Sequence, residues 1–415
     1  MSFSEWKEYK LEDVTINYNS KRIPLSSKER ELRQGKYPYY GAQGVIDFID
    51  KFIFEGQYLL VAEDGANLET RNEDIARLTK NQEQFWVNNH AHILRSNENS
   101  DIRYIKYFLN KSDLSGYITG SAQPKLNKAN LNSIRMVLPP FEEQKAIARI
   151  LSTLDEKIEV NNQINKTLEN MAQAIFKQWF VDFEFPNEDG EPYKSSGGEM
   201  VESEFGMIPK GWEVKKSSDI ANINIGKTPP RKEKKCFTLD PDDYKWISIK
   251  DLGNSGAYIF DSSEYLTKES IEKYNVKVVP DNTVVLSFKL TIGRVSITCG
   301  QMTTNEAIAH FNLNSKSKIT TEYLYLYLKS FDYGKLGNTS SIANAVNSKI
   351  IKSMPIIVPD NKTIKTFSEV MESVFSKIKY TIKQSDKLIE IRDSLLPKLM
   401  SGEIRVPLNE EGDAS

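Results

Sequence analysis

The chain repeats itself. Leu126-Asn127, Leu131, Ser133 and Met136-Val137-Leu138-Pro139 match Val346-Asn347, Ile351, Ser353 and Ile356-Ile357-Val358-Pro359 at a constant shift of 220 residues. Trp6 and Asp13-Val14 match Trp212 and Asp219-Ile220 at a shift of 206, so the second copy is longer by the difference, 14 residues. A period this long marks two whole domains rather than a solenoid of short repeats, whose units run to about 20–50 residues. Between the anchors the copies share little beyond strand-like texture. The flanks are a common scaffold, and the diverged middles are free to recognise different things.

Each copy ends in an apolar strand closed by Pro139-Pro140 or Pro359, after which a long helix begins. From Glu142 to Phe180 apolar residues fall at Ile147, Leu151, Leu154, Ile158, Leu168, Ala172, Ile175 and Trp179, with Asn161 and Asn165 filling the gap in a heptad seam. The second copy keeps the register through Phe367, Met371, Val374, Ile378, Thr381, Ser385, Leu388, Arg392, Leu395 and Leu399, and Arg392 interrupts it. At about 1.5 Å per residue each helix spans about 60 Å. The simplest partner for one apolar stripe is the other. The polar positions Asn161, Asn165, Thr381 and Ser385 would set the register in either orientation, and the long return through a second head makes the antiparallel one easier to build.

The expected fold is therefore α+β. Two globular heads with curled, mostly β sheets are separated by two long helices forming an antiparallel coiled coil. The divisions are 1–140 for the first head, 141–181 for the first long helix, 182–211 for a linker rich in Pro, Gly and Ser, 212–360 for the second head, 361–404 for the second long helix and 405–415 for a disordered tail. Strands are expected at Tyr58–Val61 and Thr283–Leu286, and short helices at Ile102–Leu109 and Glu322–Leu328.

Composition sets the class. With 39% hydrophobic and 27% charged residues and no apolar run near the roughly 20 residues of a membrane span, a cytoplasmic globular protein is expected. Cys236 and Cys299 cannot form a disulfide framework. The net charge of −2 hides two basic stretches. One holds Lys21, Arg22, Lys28, Arg30, Arg33 and Lys36, the other Lys227, Arg231, Lys232, Lys234 and Lys235, and they occupy equivalent places in the two copies.

Catalytic patterns fail on inspection. Ala221-x4-Gly226-Lys227-Thr228 resembles a phosphate loop but lacks the first glycine, and Pro229-Pro230 keeps a helix from opening at Thr228. His90, His92 and His310 have no further ligands at zinc spacing. Pro280-Asp281 with Lys289 suggests a metal-dependent nuclease, yet Ser287 stands where the second acid belongs. No glycine-rich nucleotide or methyl-donor fingerprint is present. The chain reads as a binding protein.

Pro139-Pro140-Phe141-Glu142-Glu143-Gln144-Lys145-Ala146-Ile147-Ala148, followed by Leu154-Asp155-Glu156-Lys157-Ile158, resembles the central conserved region of type I restriction–modification specificity subunits. Ser203-Glu204-Phe205-Gly206-Met207-Ile208-Pro209-Lys210-Gly211-Trp212 is similar to that family's entry into its second recognition domain, and Leu395-Leu396-Pro397-Lys398-Leu399-Met400-Ser401-Gly402-Glu403-Ile404 to its C-terminal conserved segment. The resemblance implies two target recognition domains, each reading half of a split, asymmetric site on double-stranded DNA, with the helices as ruler. It implies methyltransferase subunits (two of them) docked on the conserved regions, and motor-nuclease subunits joining the complex. S-adenosylmethionine, ATP and Mg2+ then belong to those partners, and this chain is non-catalytic with no cofactor of its own.

On that footing Lys21, Arg22, Lys227, Arg231 and Lys232 are phosphate candidates, with Lys289 and Arg294 added from the turn around Ile292-Gly293. Gln43, in Gly41-Ala42-Gln43-Gly44, and Asn67, after Asp64-Gly65-Ala66, are candidates for adenine edges. The competing class is a non-catalytic scaffold whose heads bind protein.

Overall fold

A computed structural model describes residues 5–120, 123–204, 206–336 and 346–407. Phe205 of the entry motif and residues 408–415 of the tail expected to be disordered lie outside the described residues, while residues 405–407 of that tail are described. The chain forms two compact units, one of residues 1–159 with 385–415 and the other of residues 160–384.

In the first unit the head is closed by strand Lys7–Lys10 paired antiparallel with Arg135–Leu138, so its two ends meet. A four-stranded sheet runs in the order Thr15–Asn17, Ala91–Ser96, Leu59–Ala62, Ala76–Leu78. A second holds Gly44–Ile49, Gln34–Gly41, Gln84–Val87 and Phe54–Glu55, and its central pair is parallel, with Tyr39 opposite Trp86. Helix Ile102–Lys111 covers the first sheet. Asp101 caps it by accepting from the backbone N–H groups of Arg103 and Tyr104, and it buries Tyr104, Ile105 and Leu109.

The second unit repeats this plan. Glu213–Lys216 pairs with Pro355–Val358, and Ala221–Ile225, Ile308–Leu313, Val284–Ser287 and Val295–Thr298 follow in the same order, with Tyr258–Ile259 added at the edge. Register repeats as well as order. Leu59 faces Leu94 as Val284 faces Phe311, and the parallel pair Tyr39–Trp86 returns as Trp246–Thr303. The expectation that the middles share only texture is corrected here. Sheet pairing needs backbone hydrogen bonds and apolar side chains of suitable shape, so register outlives residue identity.

The long helices are continuous, Phe141–Phe180 and Asn361–Ser401. In the first unit Ile147, Ala148 and Leu151 share a core with Leu396 and Leu399. Arg392, which interrupts the seam, meets Asp155 at 2.9 Å, and Asp155 also takes Lys106 at 3.2 Å and the Tyr107 hydroxyl at 2.6 Å. Burial alone would raise the Asp155 carboxyl, but the hydrogen bonds from Arg392 and Tyr107 hold it below the ordinary range.

In the second unit the Thr381 hydroxyl donates to Asn165 Oδ1, and Asn161 Nδ2 donates to Gln384 Oε1 at 3.0 Å. Ser385, which belongs to the first unit, is buried too. As the first helix advances from Asn161 through Asn165 to Phe180, its partners retreat from Gln384 through Thr381 to Phe367. The pair is antiparallel. The expected seam shifts near the end: Phe176 and Phe180 are buried, while Ile175 and Trp179 are half-buried. There the helix is covered by helix Thr321–Ser330 of the head as well as by its long partner, and Tyr323 draws the two phenylalanines inward, with ring centroids 5.4 and 4.8 Å away.

The segment after each long helix folds over the tryptophan that opens a head. Phe185 stacks on Trp212 at 5.1 Å, and the Trp212 indole N–H donates to Asp360. At the corresponding place in the repeat, the Arg405 guanidinium lies over Trp6 and grips buried Glu143 at 2.6 and 2.7 Å. Residues 182–211 hold more than turns, since Met200–Ser203 and Gly206–Pro209 form a hairpin and Tyr193 stacks on Phe185.

Candidate nucleic-acid interface

Loops converge at one end of the sheets in each head. In the first, the backbone N–H of Asn88 donates to Tyr40 O and its side chain accepts from the His90 N–H. In the second, Asn305 makes the same two bonds with Ile247 O and the Ala307 N–H. Each asparagine thus closes the turn between a parallel strand and a central antiparallel one. Around Asn88 gather residues 19–22, 63–67 and 124–126. Glu63 N–H donates to His90 O, Leu126 N–H to Glu63 O and Gly65 N–H to Pro124 O. Around Asn305 gather residues 226–228 and 288–294, through Lys227 N–H to Thr304 O and Phe288 N–H to Ala307 O.

The expected contact residues divide by what their polar atoms already do. Arg22 donates to Glu63 at 2.7 Å and to the carbonyls of Asn89 and Ala91 at 3.2 and 2.9 Å. Burial would raise Glu63, but Arg22 and Lys125 keep it below the ordinary carboxylate range. Both ends of the Asn67 amide close a loop onto the backbone of Glu73. Arg231 makes a two-pronged pair with Glu264 at 2.7 and 2.9 Å and lies over the rings of Phe237 and Trp246. Arg294 donates to Ile249 O at 2.6 Å and covers Gly253 so closely that a Cβ there would fall 2.1 Å from it. These side chains shape the loops.

Lys21, Gln43, Lys227, Lys232 and Lys289 are exposed. Lys21 lies over the Tyr18 ring and Lys289 over Phe288, while the Lys227 ammonium donates to Tyr274 O at 2.6 Å. Gln43 sits in the turn of the hairpin Gln34–Gly41 and Gly44–Ile49, and the Arg77 guanidinium closes over Gly44. Of the first basic stretch, Arg30 and Arg33 pair with Asp47 and Asp50, which leaves lysines to face outward. The structure brings Lys21 and Arg22 to the Asn88 turn and Lys227 and Lys289 to the Asn305 turn. Asn67 extends the first cluster, and Lys232 stands beyond the second.

One residue of the first cluster, Lys125, was missed from sequence. Lys125 stands 3.4 Å from Glu63, and His90, half-exposed, meets Asp64 at 2.7 Å. The usable signal for Lys125 was its place directly before the repeated Leu126-Asn127. His92 is structural. Its Nε2 donates to Leu126 O and its Nδ1 accepts from Asn19, an arrangement that requires the neutral ring, and burial lowers its pKa. Among the described residues no group of three or more His, Cys, Asp or Glu could hold a metal ion, and no helix is long and apolar enough to cross a membrane.

His310 lies buried opposite Val285 with Nε2 2.6 Å from the Thr304 hydroxyl, and burial pushes its pKa down to about 4. The folded ring stays neutral while the unfolded ring takes a proton near pH 6.5, so between about pH 6.5 and 4 acid favours unfolding. The stability lost across that window is on the order of 3 kcal/mol. Thermal melts of wild type and His310→Asn should diverge as pH falls through this window, with the variant the less acid-sensitive. Parallel curves would refute the assignment.

The sequence matches the family described as "Type I restriction modification DNA specificity domain" twice, over residues 3–170 and 209–391. It is 26% identical to the Type I restriction enzyme HindI specificity subunit of Haemophilus influenzae, over 97% of this chain and 100% of that protein. It is 28% identical to the MjaIX specificity subunit of Methanocaldococcus jannaschii, over 73% of this chain and 69% of that one. Among solved structures it is similar in fold to the type I restriction–modification S subunit from M. genitalium, with a TM-score of 0.60, 15% identity and 96% of each chain covered. The chain belongs to the type I restriction–modification DNA specificity family.

Proposed function

We propose that this chain supplies the DNA sequence specificity of a type I restriction–modification complex, each head reading one half of a bipartite, asymmetric site. The observation that carries this is the shared register of the two heads beneath loops that differ. A common frame places the Asn88 and Asn305 turns alike, while the residues around them present different side chains. Exposed Lys21, Lys227, Lys232 and Lys289 supply phosphate contacts, and Gln43 at its turn supplies a base-edge contact. The long helices set the gap between half-sites and dock two methyltransferase subunits, which motor-nuclease subunits join. The chain is non-catalytic and acts in the cytoplasm. S-adenosylmethionine, ATP and Mg2+ serve the partner subunits.

Exchange of residues 1–140 for the first head of a relative tests this. Methylome sequencing of the host should show one half-site replaced and the other half-site and gap retained. An unchanged methylation pattern would sink the proposal. Binding by the assembled complex should weaken steeply with added salt, because phosphate contacts release counterions. Salt-insensitive binding would point instead to heads that bind protein.

A further inference from the structure

At the tip of the turn that leads from strand Val284–Ser287 to Val295–Thr298, Leu290 is 81% exposed and holds φ at +63°. Both features run against its chemistry. A leucine in a turn of a folded protein covers neighbouring apolar surface, and the left-handed region is costly for any residue with a Cβ. Leu32 and Leu239 are as exposed, yet neither has a positive φ. The first head does without this side chain at the equivalent place. Counting on from the register of the central strands, Leu290 corresponds to Gly65, which also has a positive φ, +113°. Both positions hold a positive φ, and only the second puts a large apolar group there.

The turn that carries Leu290 is braced by hydrogen bonds and packing. The Ser287 hydroxyl, fully buried, donates to Thr291 O at 2.6 Å and accepts from the Arg294 N–H at 3.1 Å. Gly293 N–H donates to Ser287 O, and Thr291 N–H donates to Lys289 O at 2.8 Å. Behind the turn Tyr333 lies so close to Gly293 that a Cβ there would meet its ring at 3.1 Å, and the Tyr333 hydroxyl is anchored on Leu328 O. Ile292 packs inward with Tyr333 against the core. The frame holds Ile292 in and Leu290 out. Exposed Lys289 precedes it, and Phe288 N–H, bonded to Ala307 O, ties the turn to the cluster containing Lys227, where the Glu306 carboxylate is held by the Thr228 hydroxyl.

We propose that Leu290 is a wedge that enters the base stack of the half-site read by the second head. The inference rests on the DNA-reading function proposed above and deepens it. Apolar side chains such as Leu are inserted between base steps where a protein unstacks and kinks DNA, and a flanking cation at the phosphate fixes the point of entry. A braced turn suits this use, since a floppy leucine would fold back onto Ile292 and Tyr333 rather than enter the stack. Specificity follows, because pyrimidine–purine steps yield to a wedge more readily than others. The second head therefore favours such a step, while the first, with Gly65, does not need one.

The test uses the full chain assembled with its methyltransferase subunits, without methyl donor, on duplexes carrying 2-aminopurine at successive adenines of the mapped half-sites. Stacking quenches this base, so wild type should raise its fluorescence at one step in the second half-site. Leu290→Ala and Leu290→Gly should abolish that rise and weaken binding at least about tenfold, the effect of no longer burying a leucine side chain, whereas Leu290→Met should keep both. The melting temperature of Leu290→Gly should be equal to wild type or higher, since glycine relieves the strained φ. Sequence-specific binding with fluorescence and affinity unchanged in the Ala and Gly variants would overturn the wedge and leave the DNA-reading function standing. A lower melting temperature in Leu290→Gly would assign Leu290 to the packing of the fold and overturn the wedge as well. A wild-type complex that binds no specific sequence would overturn both.

Discussion

Matched deletion of residues 157–163 and 383–389 should shorten the gap in the methylated site by about three base pairs and leave both half-sites unchanged. Seven helical residues carry about 10 Å of rise, and base pairs stack about 3.4 Å apart. The two segments face each other in the antiparallel pair, so Asn161 and its partner Gln384 leave together and neither amide is stranded. Asn165–Thr381 on one side and Asp155–Arg392 on the other are retained. Deleting only 157–163 should have a harsher effect. The second helix then keeps seven residues with nothing opposite them, and the Asp155–Arg392 and Asn165–Thr381 pairs compete for one register. Breaking a buried pair costs more than removing both partners, so methylation should be lost. The readout is methylome sequencing of a host carrying each variant. An unchanged gap in the matched deletion would remove the helices as ruler.

Phe367→Ala should destabilise the second unit by about 3–5 kcal/mol, the usual range for emptying a fully buried aromatic site. Phe367 is fully buried and meets the rings of Trp179, Phe180 and Tyr323 at 5.7, 4.8 and 6.2 Å. One side chain therefore joins both long helices to the second head. For a unit of this size the melting temperature should fall by roughly 10 °C. Val370→Ala, on the same helix but 40% exposed, should change stability by less than about 0.5 kcal/mol. A Phe367→Ala chain that melts within a degree or two of wild type would show that the cluster adds little to stability.

Much of the architecture was legible because it is written in local patterns. The heptads announced two helices whose bounds, Phe141–Phe180 and Asn361–Ser401, lie close to the expected ones. The shift of Phe176 and Phe180 into the core was not legible, since it depends on Tyr323, which lies far away in the chain. The sheet that the heads share was hidden for a related reason. Pairing register leaves no mark on residue identity once any apolar residue serves.

The interface was the least legible part. Arg22, Asn67 and Arg231 look alike to Lys21, Gln43 and Lys232 in a sequence, as polar residues in loops. They differ in what lies beside them: Glu63 is 41 residues from Arg22, Glu73 is 6 from Asn67 and Glu264 is 33 from Arg231. Leu290 escaped notice because nothing local shows that Gly293 and Tyr333 hold its turn outward.

The repeat and the heptads are periodic, and a period can be read without knowing any neighbour. From the sequence alone they settled that there are two heads, two long helices and a polar layer in the middle of each. Tertiary structure decided the antiparallel pairing, the common sheet register and which arginines are paired within the chain. Those depend on partners brought together only by folding, because the glutamate that pairs with an arginine can lie far from it in the chain.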